Sequence, residues 1–170
     1  LEPAKTRIKI EDKWILSRFH STIDEVTSAY NSFKFSEVVQ KLENFVLNDL
    51  SRGYIQLIRE RANETKDILE EIESGVFILC APIVPFLTEQ LFRETNCREE
   101  SVHLCDWPKF NARKVNKKLE GEFDLALKII EKGLAARAES KIGLRWPLKK
   151  AKINSSFRLN DFEEIIAFKE

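Results

Sequence analysis

Four stretches of this 170-residue sequence repeat their apolar residues at steps of three and four, and that spacing is the strongest constraint on the fold. Ile15, Phe19, Ile23, Val26 and Tyr30 share one face of a helix predicted over 12–31, which Asn31 and Ser32 end as turn formers. Phe35, Val38, Leu42, Phe45, Val46, Leu50, Leu57 and Ile58 make the longest stripe. Read as one helix over 35–62, it is a rod of roughly 40 Å. Asn63 and Thr65 supply capping oxygens for a third helix over 65–81, with Asp67 near its positive end and Ile68, Leu69, Ile72, Val76 and Leu79 inward. The fourth window, 117–140, turns Leu119, Phe123, Leu127, Ile130 and Leu134 inward.

The intervening segments read differently. Pro82 and Pro85 predict a break at 81–85, followed by a short helix over 86–94. Residues 96–116 have no period and read as a long crossing loop. Around Gly143–Leu148 apolar residues alternate as in a strand, which Pro147 would confine to an edge, and 160–169 reads as a short terminal helix. With only 5 Gly and 5 Pro, turn formers are too few for a many-stranded sandwich or barrel. The expected fold is all-α: an antiparallel helical bundle over 1–142, then a short strand-like appendage over 143–170. Leu1 opens the chain and no Met occurs, so an internal piece of a longer protein is expected.

Composition excludes several function classes. No apolar run approaches the roughly 18 residues of a membrane helix, and no signal peptide opens the chain. Three Cys without a secretion signal point to free thiols in a reducing, cytoplasmic setting. Cys97, His103 and Cys105 resemble a partial zinc set, but a structural site wants four ligands and no fourth is near, so no metal is expected. Neither a hydrolase elbow, a Gly-rich phosphate loop nor paired His ligands occur, so no catalytic residue is assigned. The carboxylates Glu70, Glu71 and Glu73 read as a solvated acidic face.

Charge is more informative in its distribution than in its sum. The 28 basic residues balance the 28 acidic ones, yet Lys109, Arg113, Lys114, Lys117 and Lys118 form one acid-free stretch. A second stretch holds Arg137, Lys141, Arg145, Lys149, Lys150 and Lys152 against Glu139 alone. Such stretches either attract phosphate or complement helix dipoles. On the long second stripe Asn48, Arg52, Gln56, Arg59 and Asn63 line a face away from the apolar residues. All can hydrogen-bond bases or phosphates, and none is acidic. Solvated faces commonly mix Glu with Lys instead. Trp146 is either a stacking platform for an unpaired base or a buried anchor of the strand.

Several segments together resemble the anticodon-binding domain of class I isoleucyl-tRNA synthetases of the archaeal and eukaryotic-like type. They are Asp12-Lys-Trp-Ile-Leu-Ser-Arg18, Phe45-Val-Leu-Asn-Asp-Leu-Ser-Arg52 with Tyr54-Ile-Gln-Leu-Ile-Arg59, and Ala81-Pro-Ile-Val-Pro-Phe-Leu-Thr-Glu89. To these are added Ser101-Val-His-Leu-Cys-Asp-Trp-Pro108 and Ala135-Ala-Arg-Ala-Glu-Ser-Lys141 with Leu144-Arg-Trp-Pro-Leu148. The first and third are shared with valyl and leucyl relatives; the others look isoleucyl. Gly53 departs from the pattern, since relatives commonly carry an aromatic there. The resemblance implies a helical bundle that holds the anticodon arm of isoleucine tRNA. It further implies a parent enzyme that charges this tRNA with ATP and Mg on a separate catalytic domain, and a C-terminal extension beginning near residue 143. The His-Ile-Gly-His and Lys-Met-Ser-Lys-Ser signatures of nucleotide binding are absent, so no cofactor is expected here. The tRNA-binding residues expected are Asn48, Arg52, Gln56, Arg59, Arg137, Lys141, Arg145 and Trp146. The alternatives are the same domain of a valyl or leucyl enzyme, or a helical protein-interaction module without RNA.

Overall fold

The computed structural model describes residues 8–95, 99–143 and 146. All its regular elements are helical: α1 (Ile10–Asn31), α2 (Phe35–Asn44), a π-helical segment (Phe45–Tyr54), α3 (Ile55–Leu57), a 3-10 stretch (Arg59–Thr65), α4 (Lys66–Cys80), α5 (Pro85–Arg93) and α6 (Lys117–Glu139), with 3-10 turns at Val102–Leu104 and Ala112–Lys114. No strand occurs among the described residues. Of the strand expected around Gly143–Leu148 only Gly143 and Trp146 are described, neither of them in a strand, and the terminal helix at 160–169 lies outside the described residues. The chain divides into two compact units, Leu1–Asn116 and Lys117–Glu170.

In the first unit α1 is the central element. Its apolar face is buried as the spacing requires, with Trp14, Ile15, Phe19, Ile23 and Val26 shielded from water. Its other faces are buried too, through the polar residues Ser17, His20, Ser21 and Thr22. Phe19 packs against Phe45 at 5.7 Å between ring centroids, and it lies against Gly75 of α4, where a Cβ would fall 2.3 Å from Cζ. Gly75 is therefore required by the close approach of α4 to α1.

The helix α1 ends in a motif usually closed by glycine. Phe33 N–H donates to the Tyr30 carbonyl (3.0 Å) and Lys34 N–H to that of Ala29 (2.9 Å), with Phe33 at φ 57°. A Cβ in this left-handed region costs about 1–2 kcal/mol. Phe35, expected in the core, is half exposed instead, edge-on to Tyr30 and Phe33. The Tyr30 hydroxyl donates to the Leu79 carbonyl (3.0 Å), and burial pushes its pKa up to about 12.

The 35–62 rod is not one helix. After Asn44 the backbone closes i→i+5 over ten residues, and Arg61 (φ −126°, ψ 25°) then breaks the helical path. A buried ionic knot holds this break. The Arg61 guanidinium donates to both Asp12 oxygens (2.7 and 3.1 Å) and to Glu11 Oε1 (2.5 Å). Asp12 also accepts the Tyr54 hydroxyl (2.8 Å) and the Lys9 backbone N–H (2.9 Å), the latter in the manner of a capping-box carboxylate. Burial alone would lower the Arg61 pKa, but the bonds and charges of Asp12 and Glu11 outweigh it and hold it above its usual value. Burial and the bond to Asp12 raise the Tyr54 phenol far above its ordinary range. Thr65 precedes α4 without capping it by side chain; its hydroxyl donates to the Ala62 carbonyl (3.1 Å).

The crossing loop is ordered by polar bonds to α1, which is why no period revealed it. Trp107 Nε1 donates to Thr27 Oγ1 (2.8 Å), Asn111 N–H to His20 Nδ1 (3.3 Å) and Asn116 N–H to Ser17 Oγ (2.7 Å), so the loop runs antiparallel to the helix. Its start is fastened to α5 by Glu89, which accepts from Ser101 Oγ (2.8 Å) and Val102 N–H (3.1 Å). The Ser101 hydroxyl, and after it Arg93, hold the Glu89 carboxyl below its usual pKa. Cys105 Sγ contacts the Ser101 carbonyl (3.7 Å) and His103 is exposed, while Cys97 lies outside the described residues.

In the second unit, α6 follows its predicted bounds within a residue. Leu119, Phe123 and Ile130 are buried, and Leu127 and Leu134 are half-buried.

Candidate nucleic-acid interface

The segment Asn44–Arg59 is fixed on one side and free on the other. Its inner residues lock onto α1: Phe45 on Phe19, Asp49 accepting from Arg18 Nε (3.0 Å), and Tyr54 on Asp12. Gly53 lies under the Trp14 ring, where a Cβ would fall 2.9 Å from Cη2. A side chain larger than glycine at 53 would therefore press on Trp14 in this chain. These contacts leave Asn48, Arg52, Gln56 and Arg59 all exposed. The predicted face therefore exists, although α, π and 3-10 windings share it where one α-helix was expected.

Side chains on this face are organised. Arg52 Nη1 donates to Asn48 Oδ1 (3.2 Å), and Asn48 Nδ2 donates to Asn44 Oδ1 (2.9 Å). Asn44 continues the four-residue step one position upstream of the predicted set, a signal already available in the sequence. Arg59 has no ion-pair partner among the described residues, whereas Arg61, two positions on, is consumed by the buried knot.

The predicted residues of the second unit fare differently. Arg137 is buried, and its Nη2 donates to the carbonyls of Gly143 (2.9 Å) and Trp146 (2.7 Å). It holds the turn after α6 and presents no guanidinium to solvent, which corrects the expectation for this residue. Lys141 is exposed at φ 57°, the position after the helix cap, with its N–H donating to the Ala138 carbonyl (3.0 Å). Trp146 is 72% exposed, so the buried-anchor reading fails and an open indole face remains. Arg145 lies outside the described residues. Of the other basic stretch, Lys109 and Arg113 are exposed, whereas Lys114 pairs with Glu71 (2.5 Å), Lys117 with Glu120 (3.1 Å) and Lys118 with Glu122 (3.7 Å).

Next to the Lys114–Glu71 pair sits His20, with Nε2 3.6 Å from Glu71 and Nδ1 accepting from Asn111. Burial, and then the Lys114 cation, lower the His20 pKa below 6.5 against the opposing pull of Glu71. The ring is accordingly held neutral as a structural acceptor for the loop.

The first unit is thus a helical module with a row of exposed, acid-free polar residues, and comparison with known proteins places it in a family. Residues 12–153 match the family model described as the anticodon-binding domain of tRNA ligase, and the chain belongs to that family. It is 37% identical over 164 residues to an isoleucine–tRNA ligase of Pyrococcus abyssi, a match covering 88% of this chain and 15% of the relative. The isoleucine–tRNA ligase of Methanopyrus kandleri is 34% identical over 181 residues (98% and 17%), and that of Sulfolobus acidocaldarius 35% over 155 (85% and 15%). The chain thus spans only 15–17% of the length of these curated relatives. Among the described residues no helix is long and apolar enough to cross a membrane.

Proposed function

We propose that this chain binds and positions the anticodon arm of isoleucine tRNA, as one domain of a cytoplasmic enzyme that charges that tRNA. The observation that carries the reading is the exposed, acid-free row Asn48, Arg52, Gln56 and Arg59 on a segment whose opposite side is locked into α1. Rigid backing matters because a side chain held in place loses less freedom on binding. Arginines on phosphates would supply most of the affinity, and the Gln56 amide is suited to a base edge. Similarity to archaeal isoleucine–tRNA ligases favours isoleucine over valine or leucine as the cognate amino acid.

Adenylate formation with ATP and Mg belongs, in this reading, to another domain of the same polypeptide. The sequence here offers no Gly-rich loop whose backbone would cradle phosphates and neither of the two nucleotide signatures. The catalytic and C-terminal domains are then this unit's covalent partners. A tRNA titration of the full-length polypeptide at two salt concentrations tests the proposal. Changing Arg52 and Arg59 to Glu should flatten the salt dependence through lost phosphate contacts, and weaken binding by about 1–3 kcal/mol where either arginine makes a bidentate contact with a base. Unchanged affinity and slope in a folded double variant would show that RNA docks elsewhere. A protein-interaction module would show no steep salt slope at all.

A further inference from the structure

The ladder Arg52–Asn48–Asn44 carries information that the sequence pattern does not. An arginine has only donors, so the Asn48 atom receiving Arg52 Nη1 must be the amide oxygen. That fixes the Asn48 NH2 toward Asn44, and the Asn44 atom that receives it must again be the oxygen. One guanidinium thereby orients two amides in sequence across the junction between α2 and the π segment. The polarity runs one way. Each bond polarises the next, so part of the arginine's positive character is passed along the row to the Asn44 NH2. Asn44 is exposed, and among the described residues neither of its N–H groups is engaged.

We propose that Asn44 is an RNA-contacting residue whose NH2, oriented through Asn48 by Arg52, donates to an acceptor oxygen of the bound RNA. This deepens the reading above and rests on it. The ligand class follows from the direction of the ladder. A row that ends in strengthened donors suits phosphate or keto oxygens and disfavours a group that presents its own N–H. Asn44 belongs to the same i+4 series as Asn48, Arg52 and Gln56, so an RNA strand laid along that face reaches it. Asn48 itself acts as a positioning residue, its amide oxygen accepting from Arg52 and one of its two N–H groups donating to Asn44.

The test is a double-mutant cycle in the full-length polypeptide, read as affinity for isoleucine tRNA with the Arg52→Glu/Arg59→Glu variant as reference. Asn44→Ala should weaken binding about tenfold, the loss expected when a donor to a charged or keto oxygen disappears. Asn48→Ala leaves Asn44 in place but removes the relay, and should weaken binding several-fold. The double variant should be no weaker than Asn44→Ala alone, because both changes remove the same oriented donor. Both sites are exposed, so helical content and unfolding midpoint should stay at wild-type values. Asn44→Ala within twofold of wild type, in a protein whose arginine variant has lost affinity, overturns the proposal while leaving the RNA-binding reading intact. Strictly additive losses overturn the relay. If wild type itself fails to bind tRNA, both readings fall together.

Discussion

Arg59 and Arg61 sit two residues apart, and the structure gives them opposite tasks that a pair of substitutions can separate. Arg61→Met keeps the aliphatic bulk and removes the cation from the buried knot. Asp12 would keep two neutral donors, the Tyr54 hydroxyl and the Lys9 N–H, while Glu11 would lose the partner at 2.5 Å. Removing one member of a buried ion pair costs about 3–5 kcal/mol, and Asp12's remaining bonds place the expected loss near the lower bound, about 3 kcal/mol. Arg59→Met alters an exposed side chain and should stay within about 0.5 kcal/mol. Urea unfolding followed by tryptophan fluorescence reads both, Trp14 being buried close to the knot. The midpoint should fall for the first variant and hold for the second, with the slope unchanged in each. A loss below about 1 kcal/mol for Arg61→Met would refute the reasoning, since it would mean that the knot is solvated or that the carboxylates relax at little cost.

The remaining expectations are narrower. His20 is held neutral with its pKa below 6.5, so the unfolded chain takes up the proton first as pH falls. Its contribution is complete above about 6.5 and is lost as pH drops through the lower folded value. The midpoint measured between pH 7 and 5 should fall more steeply for wild type than for His20→Gln, and parallel curves would contradict this. Gly75→Ala forces a Cβ to 2.3 Å from the Phe19 ring and should cost about 1–3 kcal/mol despite alanine's better helix propensity. Urea unfolding checks it, and a stabilised variant would show that α1 and α4 separate freely.

Much of the architecture was legible because apolar spacing reports burial directly. The helices at 10–31, 66–80 and 117–139 lie within two residues of their predicted bounds at each end. The winding within 35–62 was not legible, because Phe45, Asp49 and Gly53 recur at four and satisfy α and π closure equally well. Nor was the knot: Glu11, Asp12 and Arg61 are residue types that read as surface, and only their convergence from distant positions makes burial tolerable. The same blindness applies at Arg137, where a basic residue in a last helical turn reads as solvated yet holds two backbone carbonyls. Asn48, Arg52, Gln56 and Arg59 were recoverable because a face without acids stands out by composition. The ladder that orders three residues of that face depends on which amide atom faces which, and spacing carries no such information.

A site-specific photocrosslink tests the central claim most directly. A photoreactive residue replacing Gln56 in the full-length polypeptide, irradiated with isoleucine tRNA, should attach to nucleotides of the anticodon arm. The same residue at Glu73, exposed on α4, serves as the control and should give little product. Attachment from 56 confined to the anticodon arm is the predicted result. No attachment from 56, or equal attachment from 73, would contradict the assignment of this face to RNA.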